Sequence, residues 1–170
     1  DHFHPLLAIL GPIYALHPSG FTLLAAQAVA FGLGAGIVAG VATRTLGWWG
    51  AAIGLASGLS YLLVEAQASQ FHEIALAVPL LAISLGYLVR RRGVAAALWA
   101  LPLLGVKEDL GLTVAMVGLV VALRARSRTE RAVGLTTAGV GALGFVAITQ
   151  WVLPALNPGG VWAYASDSII

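Results

Sequence analysis

The sequence predicts an all-α fold: a polytopic helical membrane protein of about six crossings, two of them short and paired as a hairpin, with a further helix in the outer interface. Three observations lead there. The chain is 59% hydrophobic and 9% charged, with a mean hydropathy of +0.93, whereas a soluble domain carries about 25% charged residues. So few charges cannot cover a water-facing surface. The apolar residues come in helix-length runs separated by short polar gaps. Finally, eight of the nine basic residues are Arg and fall in alternate gaps: Arg44, Arg90 to Arg92, and Arg124, Arg126, Arg128 and Arg131. Almost every other ionisable side chain (Asp1, Glu65, Glu73, Lys107, Glu108, Asp109, Asp167 and all four His) lies in the remaining gaps. Such a partition is that of the positive-inside rule, and it puts the mixed-charge gaps on the outer face of a plasma membrane.

Residues 5–17 are apolar but span only about 20 Å as a helix, short of a hydrocarbon core of about 30 Å. Pro5, Gly11, Pro12 and Pro18 interrupt them, so a short kinked interfacial helix is expected. Residues 20–43 form a first crossing that stops at Arg44. Its Gly32, Gly36 and Gly40 make two overlapping GxxxG motifs that suit a close helix contact. Residues 46–64 return, anchored by Trp48 and Trp49 at the interface. Residues 65–72 form a polar turn, and 73–89 cross again.

Residues 93–123 admit two readings. As one helix they would hold Lys107, Glu108 and Asp109 near mid-bilayer, at about 2.5–3.5 kcal/mol per charge. As a hairpin of 93–106 and 110–123 they keep both Arg clusters on one side and turn at the charged triplet. The hairpin is the cheaper arrangement. Its arms are about 21 Å long, so the turn lies somewhat below the outer boundary, where irregular backbone must line a cavity or pack on protein. Residues 132–153 cross outward with small residues at Gly134, Gly139, Gly141 and Gly144, and 154–170 form an outer loop with a turn at Asn157-Pro158-Gly159-Gly160. The whole reads as one integral membrane domain, 1–170. Because it begins at Asp1 and ends on Asp-Ser-Ile-Ile, it is expected to be a piece of a longer chain with at least one earlier span.

Acids at membrane depth are costly and mark functional sites. The triplet Lys107-Glu108-Asp109 reads as a general base, a metal ligand or a phosphate anchor, against the plainer reading of a solvated turn. Phe71-His72-Glu73 opens a span; Glu73 there also suits the helix dipole. His2 and His4, two apart, share one face of an extended segment and could hold a divalent metal if other groups joined them. His17 reads as a loop residue, Glu65 as an outer-boundary acid and Ser57 as a packing residue. With no Cys there is no disulfide or thiolate chemistry. The net charge of +2 comes from Arg at span ends rather than a basic stripe, so nucleic acid is not an expected partner. Membrane lipid is.

In order, His-Phe-His-Pro-Leu-Leu (from His2), a Pro-Ser turn into a span with Gln27, Phe-His-Glu (Phe71), Lys-Glu-Asp (Lys107) and Asn-Pro-Gly-Gly (Asn157) resemble a bacterial and archaeal family of uncharacterised polytopic membrane proteins. The likeness covers nearly all of 1–160, and Lys-Glu-Asp is its most specific part. That family in turn resembles the GT-C glycosyltransferases, which transfer sugars from polyprenyl-phosphate donors at the outer face and carry an acid in the first outer loop before an interfacial helix. Asp1 and the helix at 5–17 match that arrangement. The resemblance implies a polyprenyl-phosphate-linked sugar donor, with Asp1, Glu108 and Asp109 as candidate catalytic acids. Lys107, His72, Glu73 and Gln27 would contact substrate, and His2 and His4 would hold a metal. Two other classes stay open: a membrane transporter, which would need polar groups along a crossing, and a non-catalytic membrane scaffold.

Overall fold

The computed structural model describes residues 2–157, and all regular structure among them is helical. Seven helical stretches follow one another: α1 (Pro5–Leu16), α2 (Gly20–Leu46), α3 (Trp49–Ser69), α4 (Glu73–Val89), α5 (Gly93–Gly105), α6 (Leu110–Arg124) and α7 (Arg128–Leu156). Three of them, α2, α3 and α7, with 27, 21 and 29 residues, are long and apolar enough to cross a membrane. The others are shorter apolar helices.

Residues 93–123 are two helices and a turn, as the cost of mid-bilayer charge favoured. The first turns of α1 and α4 and the last turn of α5 are 3-10, each where a Pro or a polar entry tightens the backbone. Ser19 caps α2 by accepting from the Thr22 amide, and Ser127 caps α7 by accepting from the Glu130 amide at 3.1 Å. Near its end α7 widens into a π turn at Ile148–Val152, just ahead of Pro154. Pro154 has no N–H for the carbonyl four residues back, and the wider turn carries the helix past it.

The boundaries differ from the sequence reading in three places. Arg44 lies inside the last turn of α2 rather than after it. Helix α3 breaks at Leu59 and Ser60, then continues through Glu65 to Ser69, which shrinks the polar turn to residues 70–72. Arg128 and Arg131 belong to the first turn of α7, which starts earlier than expected.

The core lies between α4, α5 and α6, around Ala77, Ala96, Ala97, Ala100, Leu103, Val106, Val114, Val117 and Val121. Helices α6 and α7 approach through their backbones. A side chain at Gly118 would strike Ala138 and the Gly134 carbonyl, and one at Gly134 would strike Ala122 and the Gly118 carbonyl. Gly111 and Gly141 meet in the same way. Small residues thus replace side-chain volume as the means of association.

The glycine stripe expected to do this on α2 does not: among the described residues nothing stands within 4 Å of the space above Gly32, Gly36 or Gly40. The contact is made instead by Gly50, Gly54 and Gly58 of α3, which lie against Thr43, Ala39 and Ala35 of α2. Both stripes have the same four-residue spacing, so the pattern gives a helix face and not its partner. Gly139 likewise has no near neighbour among the described residues. Large apolar side chains such as Leu16, Phe21, Trp48, Trp49, Leu123 and Trp151 are exposed on the outside of the bundle. Trp48 and Trp49 stack at 3.8 Å.

Candidate functional site at the 107–109 turn

The tip of the α5–α6 hairpin gathers most of the polar side chains singled out in the sequence. Glu108 is 2% exposed. One of its carboxylate oxygens lies 2.7 Å from His2 Nδ1, and the other accepts from the Phe3 amide at 3.0 Å. A segment 105 residues away is thereby fastened to the turn. Burial pushes the Glu108 carboxyl up, but the His2 side-chain bond, the Phe3 and Glu108 amides and the charge of His2 outweigh it, and the group sits below its ordinary value.

Lys107 Nζ stands 3.9 Å from Glu73 Oε1, a loose pair with both partners about one-quarter exposed. Asp109 is exposed at the start of α6, and its side chain makes no capping bond. Gln27 is buried in α2 and engaged through both amide atoms: its Nε2 donates to the Ala66 and Gln70 carbonyls, and its Oε1 accepts from the His72 amide at 2.6 Å. It shapes the entry to α4 and so positions His72 and Glu73. Asp1 and the turn beyond Asn157 lie outside the described residues.

His2 and His4 have ring centroids 5.9 Å apart. His4 Nδ1 is buried with no hydrogen-bond partner among the described residues. Also among the described residues, no three of His, Cys, Asp and Glu come together to hold a metal ion.

An apolar cleft of about 620 Å³ runs between α1, α2 and α4, lined by Leu10, Ile13, Phe21, Ala26, Leu33, Leu76 and Pro79 among others. His17 and Thr22 line it too. With Ser19 they form a small polar network, Ser19 Oγ lying 2.8 Å from His17 Nδ1 and the Thr22 hydroxyl donating to the His17 carbonyl at 2.6 Å. Leu76 follows Glu73 by three residues in a 3-10 segment, where such positions lie one above the other. The cleft therefore adjoins the helix face that carries Glu73.

One group escaped the sequence reading. Glu130 stands among the Arg residues at the other end of the hairpin, where its carboxylate accepts from the Gly93 amide at 3.1 Å and the Arg126 amide at 2.8 Å. Ser127-x-x-Glu130 has the capping-box spacing, and that was the signal available.

Apolar helices, long and short, around a polar hairpin tip define a helical membrane protein. The chain belongs to the family described as "Predicted membrane protein (DUF2079)", whose model matches residues 1–166. Neither the curated proteins nor the solved structures give a significant match.

Proposed function

We propose that the chain forms the outer-face site of a GT-C-like membrane glycosyltransferase using a polyprenyl-phosphate-linked sugar, with about six crossings in a plasma membrane. The observation that carries this reading is that Leu76, in the wall of an apolar cleft of about 620 Å³, stands one 3-10 turn after Glu73, whose carboxylate pairs loosely with Lys107. An amphiphile with a long apolar chain and a phosphate head needs such a meeting of apolar and charged groups.

In this scheme the polyprenyl chain lies in the cleft. Lys107, held only loosely by Glu73, turns its ammonium to the phosphate. Asp109 accepts the proton of the acceptor hydroxyl as that oxygen bonds to the anomeric carbon. The bond from anomeric carbon to phosphate oxygen breaks, and polyprenyl phosphate leaves with the electron pair. Glu108 is ill suited as the base. Both its oxygens are engaged and its affinity for a proton is lowered, so its part is to hold His2 and the N-terminal segment against the turn. Asp1 is a second candidate base.

The test uses purified protein in lipid nanodiscs with a panel of polyprenyl-phosphate-linked hexoses, following release of polyprenyl phosphate. Asp109→Asn should lower the rate about 10²- to 10⁴-fold, as loss of a base does, while insertion and folding persist. Lys107→Arg should be partly active. Full activity in an Asp109→Asn, Lys107→Gln double variant would exclude the scheme. Absence of turnover with every donor, together with uptake of a solute into vesicles, would favour a transporter.

A further inference from the structure

At the end of the hairpin opposite Glu108, α4 stops in an unusual way. The Arg92 amide donates to the Tyr87 carbonyl at 2.9 Å and the Arg91 amide to the Leu88 carbonyl at 3.0 Å. This pair of bonds is the Schellman motif, whose middle residue takes the left-handed conformation and is usually Gly. Here that residue is Arg91, with φ 56°, and among the described residues it is the one non-glycine with positive φ. A Cβ is strained there. Helix termination alone would be better served by glycine, so the Arg91 side chain must be needed for something else.

Arg91 lines a cavity of about 500 Å³ together with Arg124, Arg126, Leu88, Val121 and Glu130. Three Arg residues, Arg91 just past α4, Arg124 at the end of α6 and Arg126 in the α6–α7 loop, thus border one hollow. The ion pairs among the described residues are His2–Glu108 and Lys107–Glu73, so none of the three Arg is paired with a carboxylate. Glu130 is the acid in the wall, but its oxygens are committed to the Gly93 and Arg126 amides. Its bonds fix the start of α5 and the α6–α7 loop, and with them the rim of the cavity. Arg forks match phosphate oxygens bidentately, and basic pockets between membrane helices bind phosphate-bearing headgroups.

The geometry points to a phosphate-binding site formed by Arg91, Arg124 and Arg126 between α4 and the α6–α7 loop, which takes the phosphate of an anionic lipid headgroup or of a soluble phosphate compound. This site is separate from the 107–109 turn and does not depend on the glycosyltransferase reading.

The experiment uses the full chain purified in detergent and titrated separately with phosphatidylglycerol, phosphatidylcholine and inorganic phosphate, read by native mass spectrometry and thermal shift. Phosphatidylglycerol should bind in preference to phosphatidylcholine, and Arg124→Gln with Arg126→Gln should weaken it tenfold or more. Arg91→Gly is the sharper variant. It should weaken binding several-fold while leaving the melting temperature equal or higher, because glycine suits that backbone. Arg128→Gln, at the first residue of α7 and not lining the cavity, should bind as wild type. Saturable binding of inorganic phosphate, lost in the same variants, would assign the site to a soluble compound. Failure of both ligands to bind, equal binding in the double variant, or an equal loss in Arg128→Gln would overturn the proposal.

Discussion

Two carboxylates fasten the two ends of the α5–α6 hairpin, and they do so in different company. At the tip, Glu108 accepts from a distant backbone amide and from an imidazole, His2, with Lys107, Glu73 and Asp109 close by. At the base, Glu130 accepts from two backbone amides and is surrounded by Arg. The bonding job is the same: each acid ties a sequence-distant segment to the hairpin. What differs is the neighbourhood. Mixed charge at the tip puts a proton acceptor, a cation and an imidazole within one cluster, which chemistry needs. The Arg residues at the base can bind an anion, and Glu130, the acid beside them among the described residues, is already committed to two amides.

The comparison breaks most plainly if the two ends do not face opposite sides of the membrane. A cysteine at Ser69, beside the tip cluster, should react with an impermeant thiol reagent added outside intact cells, and one at Ser127, at the base, should react only after permeabilisation. The difference should be all or none, because the Arg partition favours one orientation. Labelling of Ser127 from outside would reverse the assignment of both ends.

A smaller effect separates the two staples energetically. Glu130→Ala removes two charge-assisted bonds from backbone amides and should cost about 2 kcal/mol of stability, measured by thermal unfolding in detergent. Gly93→Ala should act on the same staple, because a methyl there would strike the Glu130 carboxylate. Its cost should therefore be smaller in the Glu130→Ala background than in wild type, as expected of residues in contact. Equal costs in both backgrounds would mean that Gly93 is required by Val121, its other near neighbour, and not by Glu130.

How far these ends were legible in the sequence follows from which forces act locally. The hairpin was legible because burying Lys107, Glu108 and Asp109 in mid-bilayer is a large local penalty, readable from three adjacent letters. The convergence of His2, Glu73 and Lys107 at the tip was legible for the same reason, since charges at depth must find partners. The choice of partner was not: that Glu108 takes His2 and Lys107 leans toward Glu73 depends on how α1 and α4 lie against the turn. Gln27 was singled out as a contact for substrate, yet its side chain is spent on the α3–α4 turn, a long-range hydrogen-bond pattern with no sequence signature. The glycines show the same limit. Spacing on α2 and α3 was equivalent, and packing used one stripe and left the other bare. Arg91 was read as one of a cluster of topological charges, because nothing in Arg90-Arg91-Arg92 marks the left-handed backbone of its middle member.

The smallest expected effect concerns protons at the tip. Glu108 has its carboxyl held below the ordinary value, so the folded state favours the charged form. Its contribution is fully present above the ordinary carboxylate range and is lost as pH falls through the lowered value, where the folded protein must take up the proton. The neutral acid keeps acceptor capacity but loses the charge that strengthens the bonds from His2 and Phe3. The N-terminal segment should then loosen from the turn while the bundle stays folded. The measurement is hydrogen exchange at the Phe3 amide, corrected for the intrinsic rate at each pH. Protection should fall by about three- to tenfold on acidification, the difference between a charge-assisted and a neutral hydrogen bond. Glu108→Gln should show the lower protection at every pH, because its amide oxygen can accept but cannot titrate. A pH-dependent loss that survives in Glu108→Gln would assign the change to another titrating group at the tip and remove Glu108 from the comparison with Glu130.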